Sequence, residues 1–468
     1  MIGGPPTDER PTKGSPADRA PTGRGTALRV ANCSGFYGDR ISAMREVLDG
    51  GLASATTVDV ITGDYLAELT MLILGKDQLR DPSLGYARTF VTQLADCLGD
   101  ALERGVRIVA NAGGLNPSGL ADRIAEVAKG LGLDPAIGFV DGDDLAPRAA
   151  ELGFEGALTA NAYLGGFGIA AALSAGADVV VTGRVTDASV VVGPGIWRFG
   201  WTPESLDELA GAVIAGHVIE CGTHATGGNF SGFTDLPREA TPLGFPIAEL
   251  RADGSSVITK HPGTGGVVTI DTVTAQLMYE IQGPVYDNPD VRADLTSISL
   301  SDDGPDRVLI DGVRGLPAPE RLKVSTNTLG GYRNQMEFVL VGLHLAEKEA
   351  WIRTQLDAAL AANPPAEVVW SRGPLPPPDA DTEEGASCRL RCVVKDASAE
   401  VVGKAFTAAG IELALASYPG FTLTAPPGKP SAYGVYRPAY VDRDQVHERV
   451  VVGGRELDAD SYAEGTDR

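Results

Sequence analysis

The chain reads as an α/β protein, with a mainly parallel sheet flanked by helices, then an α+β domain and a small C-terminal α/β module. Three observations predict this. From Leu28 a pattern of strand, polar turn and helix repeats; after Phe230 it gives way to short β-like runs rich in Gly and Pro; and a Pro-rich acidic stretch at 373–387 sets off a last segment. Strands alternating with helices of this length imply right-handed crossovers and parallel pairing.

The first strand, Leu28 to Asn32, ends in the turn Ser34 to Arg40 and a helix over Ile41 to Leu48. Val58 to Ile61 repeats the unit with the turn Thr62 to Tyr65. A helix from Thr89 to Arg104 leads into Val106 to Ala110, the turn Asn111 to Asn116 and a helix from Leu120 to Leu131. Ile137 to Val140 ends in Asp141 to Asp144, and the apolar run Asp178 to Val181 stops at Thr182 to Asp187. Later segments read as strands at Ser256 to Thr259, Gly266 to Ile270 and Arg307 to Ile310, with helices at Thr272 to Ile281, Met336 to Ala361 and Ala399 to Leu413. Extended segments follow at Ser417 to Ala425 and Tyr433 to Val441. The expected division is a disordered extension over 1–26, an α/β domain over 27–230, an α+β domain over 231–372, a stiff linker over 373–387 and a module over 388–468.

Sixty-two acidic residues against thirty-nine basic ones give a formal charge of -23, which argues against nucleic acid and anionic membrane surfaces as partners and leaves a small-molecule substrate. Five cysteines without paired CxxC spacing argue against a disulfide scaffold and a thiolate zinc site, and fit a reducing cytoplasm. No apolar segment of membrane-spanning length is present. No GxGxxG follows the first strand and no GxxxxGK[ST] occurs, which disfavours nicotinamide, flavin and nucleoside triphosphate chemistry.

In a parallel sheet the strand-end turns open on one edge, so Asp39, Asp64, Asn111, Asp143 and Asp187 are expected to converge on one cleft; the alternative is that they cap the following helices. A second feature runs from Gly216 to Asn229. A continuous helix would put His217, Glu220 and His224 on one face, at a spacing that suits a divalent metal. Gly222 is expected to end that helix first, which favours His217 and Glu220 as hydrogen-bonded site residues and leaves the metal as the lesser reading. Cys221 beside them is either a nucleophile or a buried structural cysteine, the latter favoured. The third feature, Lys260 to Gly266, joins two bases to a glycine-rich loop able to hold an anion, or is a surface hairpin turn. Asp271, Gln276, Glu280 and Gln282 read as the solvated face of a helix, and His344 and His447 receive no role.

The motifs Asn32 to Arg40, Thr62 to Tyr65, Asn111 to Gly114, Thr182 to Asp187, Gly216 to Gly222 and Gly263 to Gly266 together resemble the acyclic terpene utilisation protein A family. The resemblance runs from about Leu28 to at least Leu345, and Ser417 to Phe421 with Pro426 to Gly428 and Tyr433 to Val435 continue it. The N-terminal extension lies outside the family's pattern, and a histidine is not expected at position 224, which weakens the metal reading. The resemblance implies a place in the breakdown of citronellol- and geraniol-type branched acids through coenzyme A thioesters.

The expected function is therefore a cytoplasmic lyase or hydratase acting on a branched acyl thioester or related carboxylic acid, as a homo-oligomer with a dimer as the default. Arg184 would hold a carboxylate or phosphate, oriented by Asp187. His217 or His261 would transfer the proton with help from Glu220 and Asp64, and the Gly113–Gly114 turn would offer N–H groups to an enolate oxygen. Ser34, Tyr37, Asn111, Thr182, Gly183, Lys260 and Thr264 complete the expected binding residues. Two competing readings are a hydrolase or acyl-transfer enzyme of a secondary-metabolite pathway, and a non-catalytic subunit or ligand-binding partner of an acyl-CoA enzyme.

Overall fold

A computed structural model describes residues 27–54, 57–237 and 241–457. The expected extension over 1–26 lies outside the described residues. The chain forms two compact units, one comprising Met1–Thr326 with Arg437–Arg468 and the other Asn327–Tyr436. The architecture is mixed α/β.

The first unit begins with β1 (Leu28–Asn32), α1 (Ala43–Ser54), β2 (Val60–Gly63), α2 (Glu68–Arg80), α3 (Arg88–Arg104), β3 (Arg107–Ala110) and α4 (Pro117–Gly130). It continues through β4 (Ile137–Asp141), β5 (Ala157–Ala162), α5 (Phe167–Ser174), β6 (Val179–Thr182), α6 (Ser189–Phe199) and α7 (Leu206–Glu220). Strands β1, β2, β3, β6 and β4 lie side by side in that order, all parallel. Their short β-branched runs are buried throughout in β2, β3 and β6, as strands covered on both faces must be. One face packs against α1, α3 and α4 through Val47, Leu94, Leu98 and Ile124; the other packs against α5, α6 and α7 through Ile169, Ile196 and Ile214. Helix α7 is buried from Leu209 to Glu220 on every side, which is why its sequence lacks a polar stripe.

The chain beyond 230 first extends the same sheet and then also forms a separate three-stranded one. It continues with β7 (Pro246–Leu250), β8 (Ser256–Lys260), α8 (Ile270–Leu277), β9 (Val285–Asp287), β10 (Arg292–Asp294), β11 (Ser299–Asp302), β12 (Val308–Asp311), β13 (Arg314–Leu316) and the start of β14 (Arg321–Val341). Strand β7 pairs antiparallel with β1, and β8, β12 and β11 extend the sheet outward from there. Strands β9, β10 and β13 make up the separate three-stranded sheet. An antiparallel pair, Arg449–Val452 and Arg455–Leu457, is added beside β4, giving one mixed sheet of 11 strands among the described residues. The expected boundary at 230 therefore falls within one sheet, and of the segment expected as a separate C-terminal module, 388–436 belongs to the second unit while Arg449–Leu457 returns to this sheet. The expected strand at Gly266 to Ile270 is a loop, because Thr269 caps the start of α8 in a capping box with Thr272.

In the second unit, β14 pairs along Tyr332 to Val341 with β16 (Ser387–Asp396), which also pairs with β15 (Glu367–Arg372). The stretch 373–387 expected as an interdomain linker joins these two adjacent strands. The expected helix start at Met336 is strand, since Met336, Phe338 and Leu340 are buried in alternation; α9 (Leu345–Leu360) begins after it. Helix α9 and α10 (Lys404–Ala416) cover one face through Ile352, Leu356, Phe406 and Leu413. Strands β17 (Thr422–Leu423) and β18 (Ser431–Asp442) complete the elements near this unit. No helix among the described residues is long and apolar enough to cross a membrane.

Candidate functional site

Register builds the site. Gly63 is level with Ala110, and Ala110 with Val181, so the residues that follow, Asp64, Asn111 and Thr182, emerge at one height at the carboxyl edge of the parallel strands. Asn111 Nδ2 donates to Asp64 Oδ1 at 2.5 Å, while Tyr65 N–H donates to Asn111 Oδ1 at 2.7 Å and fixes which way the amide faces. Leu66 N–H adds a second donor to Asp64 Oδ1 at 3.2 Å.

The carboxyl end of α7 is brought to the same edge by Asn32, whose Nδ2 reaches the carbonyls of Ser34, Ile219 and Glu220 at 2.8, 2.8 and 2.9 Å. The helix stops at Cys221, and Gly222 takes the left-handed backbone that follows, as expected. A Cβ on Gly35 would lie 2.2 Å from Gly222 N, so only glycine lets the first strand-end turn close on the helix end. The turn Ser34 to Arg40 thus scaffolds α7. Asp39 accepts the Gly35 N–H, Ser34 Oγ donates to the Phe36 carbonyl, and Tyr37 lies against Arg88 and Thr89.

These elements enclose a cavity of about 290 Å³. Asp64, Arg184, Asp187, His217 and Glu220 line it together, as do Gly35, Thr186 and Cys221. His217 Nδ1 meets Glu220 Oε1 at 2.8 Å across one helical turn, with side chains 1% and 4% exposed. His217 Nε2 and Glu220 Oε2 are buried with no close hydrogen-bond partner, and the Leu277 and Gln276 backbone faces the imidazole. Gln276, buried rather than solvated, holds the His217 carbonyl through Nε2 at 3.0 Å, and the Tyr286 ring packs 5.2 Å from the imidazole.

Arg184 pairs with Asp187, as the sequence suggested, and is held by further contacts. Its Nη1 donates to the Leu66 carbonyl at 2.7 Å, its Nη2 pairs with Asp187 at 3.1 Å, and its guanidinium lies 4.4 Å over the Tyr163 ring. Burial opposes its charge, but Asp187, Tyr163, Asp64 and Glu68 outweigh it and hold the cation firmly protonated. Its backbone is set by Asp143, whose Oδ2 accepts from Arg184 N–H and Asn161 Nδ2, each at 2.8 Å. Gly183 has no room for a side chain because Asp143 Oδ1 would lie 2.0 Å from its Cβ.

The electrostatics follow from two buried carboxyl groups, Asp64 and Glu220, and the partly exposed Asp187 around one guanidinium. Burial, then Asp187 and Glu220, raise the Asp64 carboxyl well above the ordinary range against the pull of Arg184 and Asn111. Burial, then Asp187 and Glu280, raise Glu220, and burial raises Asp187 despite Arg184. Burial also lowers His217, so its imidazole favours the neutral form. The Cys221 thiol is pushed up by burial and then by Glu220, the opposite of what an activated nucleophile needs.

Several expected residues lie elsewhere. His261 is buried against α1 with Nε2 2.8 Å from the Val47 carbonyl, Lys260 Nζ holds the Thr264 carbonyl and Asp306, and Thr264 Oγ1 donates to the His261 carbonyl. That turn does not line the cavity, although His261 Nδ1 is buried without a partner. Nor does Gly113–Gly114: Gly114 N–H is spent on the Asn111 carbonyl, and a Gly113 Cβ would strike the Thr182 carbonyl at 2.5 Å. Thr182 Oγ1 donates to the Gly183 carbonyl. Of the five turn residues expected to converge, Asp64 and Asp187 reach the cavity, Asn111 and Asp143 support them, and Asp39 serves the turn.

The family model for acyclic terpene utilisation family protein AtuA matches residues 28–452. The chain belongs to that family. No curated protein matches it. The AtuA-family description ties it to acyclic terpene utilisation without stating a reaction.

Sequence reasoning missed other lining residues of this AtuA-family site. Tyr163 follows β5, a strand not recognised, and its hydroxyl donates to Glu68 Oε1 at 3.2 Å while Lys323 Nζ sits 4.9 Å over its ring. Glu280, read as a solvated face, lines the cavity from a residue with φ of 63°; Tyr286, Arg321 and Lys323 line it too. His224 turns away to Gln276 and Asn229 at 3.0 and 2.7 Å, and among the described residues no group of three or more His, Cys, Asp and Glu is placed to hold a metal ion.

Proposed function

We propose that the chain is an enzyme of lyase or hydratase type that moves a proton next to a carbonyl in a branched carboxylic acid carried as an acyl thioester. The observation that carries this reading is the His217–Glu220 pair, held at 2.8 Å at the lining of a cavity. When Glu220 is ionised, against the burial that raises its carboxyl, His217 Nδ1–H donates to it and Nε2 is left as a base. The imidazolium formed on taking a proton finds its counter-charge at Glu220, and buried acid–base groups of this kind contribute about 10²–10⁴-fold. A cavity of about 290 Å³ suits an acyl group. The exposed cations Lys323 and Arg321 support placing the anionic carrier at the mouth.

The acyl-transfer alternative is less well supported, because burial and Glu220 disfavour the Cys221 thiolate. The test is turnover of branched 3-hydroxyacyl and 2-enoyl coenzyme A thioesters by the purified chain. Interconversion that falls about 10²–10⁴-fold in His217→Gln is expected. Tight binding of these thioesters with no turnover would replace the reading by that of a non-catalytic binding subunit.

A further inference from the structure

We infer that Asp64 is the proton donor of this cavity, delivering a proton from Oδ2 to a departing oxygen of the substrate. The inference rests on the proposed lyase or hydratase reading and adds a second group to it.

The argument begins with hydrogen-bond direction. Asn111 cannot present its oxygen to Asp64, because that oxygen already accepts the Tyr65 N–H at 2.7 Å; it must present Nδ2. Asp64 Oδ1 therefore accepts from Asn111 Nδ2 and Leu66 N–H. With both donors on Oδ1, a proton on the carboxyl has its place on Oδ2, and Asp64 lines the cavity. The groups around it are Arg184, Asp187 and Glu220, and Arg184 is already paired with Asp187 at 3.1 Å. One cation shared with Asp187 leaves Asp64 without a full counter-charge, and burial adds to that. Across the same cavity lining, burial pushes His217 the opposite way. Two groups whose surroundings drive one toward the neutral acid and the other toward the neutral base form an acid–base pair.

The step balances. His217 Nε2 takes the proton from carbon 2 of a 3-hydroxyacyl thioester, and that C–H pair becomes the C2–C3 double bond. The C3–O bond breaks with its electron pair on oxygen, which takes the Asp64 proton and leaves as water. The proton then passes from His217 back to Asp64 through solvent. Net change is loss of water, and the reverse path is hydration. Arg184 and Asn111 stabilise the transient Asp64 carboxylate.

Asp64→Asn keeps an acceptor for Asn111 and Leu66 and removes only the acid. With a branched 3-hydroxyacyl-CoA, dehydration is expected to fall at least about 100-fold in this variant. With the saturated acyl-CoA of the same skeleton, exchange of the carbon-2 proton into deuterated water is expected to stay within about threefold, whereas His217→Gln loses both. Equal losses of dehydration and exchange in Asp64→Asn, or no loss of dehydration, would overturn the assignment. If the unaltered chain turns over neither thioester, the proposed function fails, and infrared difference spectra decide the proton's location separately. A protonated-carboxyl band at neutral pH that vanishes in Asp64→Asn supports the donor; an unchanged spectrum overturns it.

Discussion

His217 and His261 are both buried, burial lowers the proton affinity of both, and each has one ring nitrogen with no close hydrogen-bond partner. They nevertheless differ in what surrounds them. His217 leans on a carboxylate and lines a cavity, whereas His261 leans on the Val47 carbonyl beneath α1 in a turn whose Lys260 and Thr264 are spent on their own backbone. A histidine beside a base and a glycine loop is chemical vocabulary. A carboxylate partner able to balance an imidazolium, with space for a reacting molecule, turns it into a site.

The comparison sharpens most at Glu220. Glu220→Gln removes the counter-charge that His261 never had, and a loss of about 10²-fold in turnover is expected by steady-state assay. Near-native turnover would make the two histidines equivalent in kind. Next comes Gly35→Ala, whose new Cβ would sit 2.2 Å from Gly222 N and 2.6 Å from the Cys221 carbonyl carbon. Displacement of the end of α7 is expected to lower kcat at least about tenfold while costing about 1–3 kcal/mol in urea denaturation.

A smaller effect concerns pH. Burial pushes the Asp143 carboxyl from 3.8 up to about 7. The folded state thus holds this proton more tightly than the unfolded chain, so its contribution to stability is full below the unfolded value near 3.8 and is lost as pH rises through about 7. Asp143→Asn is expected to flatten the fall in Tm between pH 5 and pH 8, roughly the window between those two values; an unchanged slope would refute the assignment. The smallest effect belongs to the mouth. Lys323→Ala is expected to raise KM about three- to tenfold with kcat unchanged, and the difference should shrink in high salt because the cation is exposed.

The parallel core was legible because each of its strands announces itself locally, as a β-branched run ending in a polar turn. The partners of β7 and β8 were not, because pairing across a sheet depends on residues far away in the chain. Asp64, Arg184, Asp187, His217 and Glu220 were expected as site residues from strand-end and helical spacing, and the five line one cavity. The turn Lys260 to Thr264 misled for the converse reason, since the Val47 carbonyl that occupies His261 comes from a distant helix. Tyr163 was missed because β5 pairs with β14, a contact without local periodicity to reveal it, and Glu280 because a helical reading hid its left-handed backbone. Arg184 shows a third limit: its pairing with Asp187 was legible from their spacing, whereas its contacts with the Leu66 carbonyl and the Tyr163 ring come from distant residues and were not.

The most direct test measures exchange of the carbon-2 proton of a branched acyl-CoA into deuterated water, with His217→Gln and His261→Gln side by side. Loss of about 10²–10⁴-fold in His217→Gln, with His261→Gln within about twofold of the unaltered chain, is the expected result. Equal exchange in both variants, or loss confined to His261→Gln, would contradict the placement of the reactive site at the end of α7.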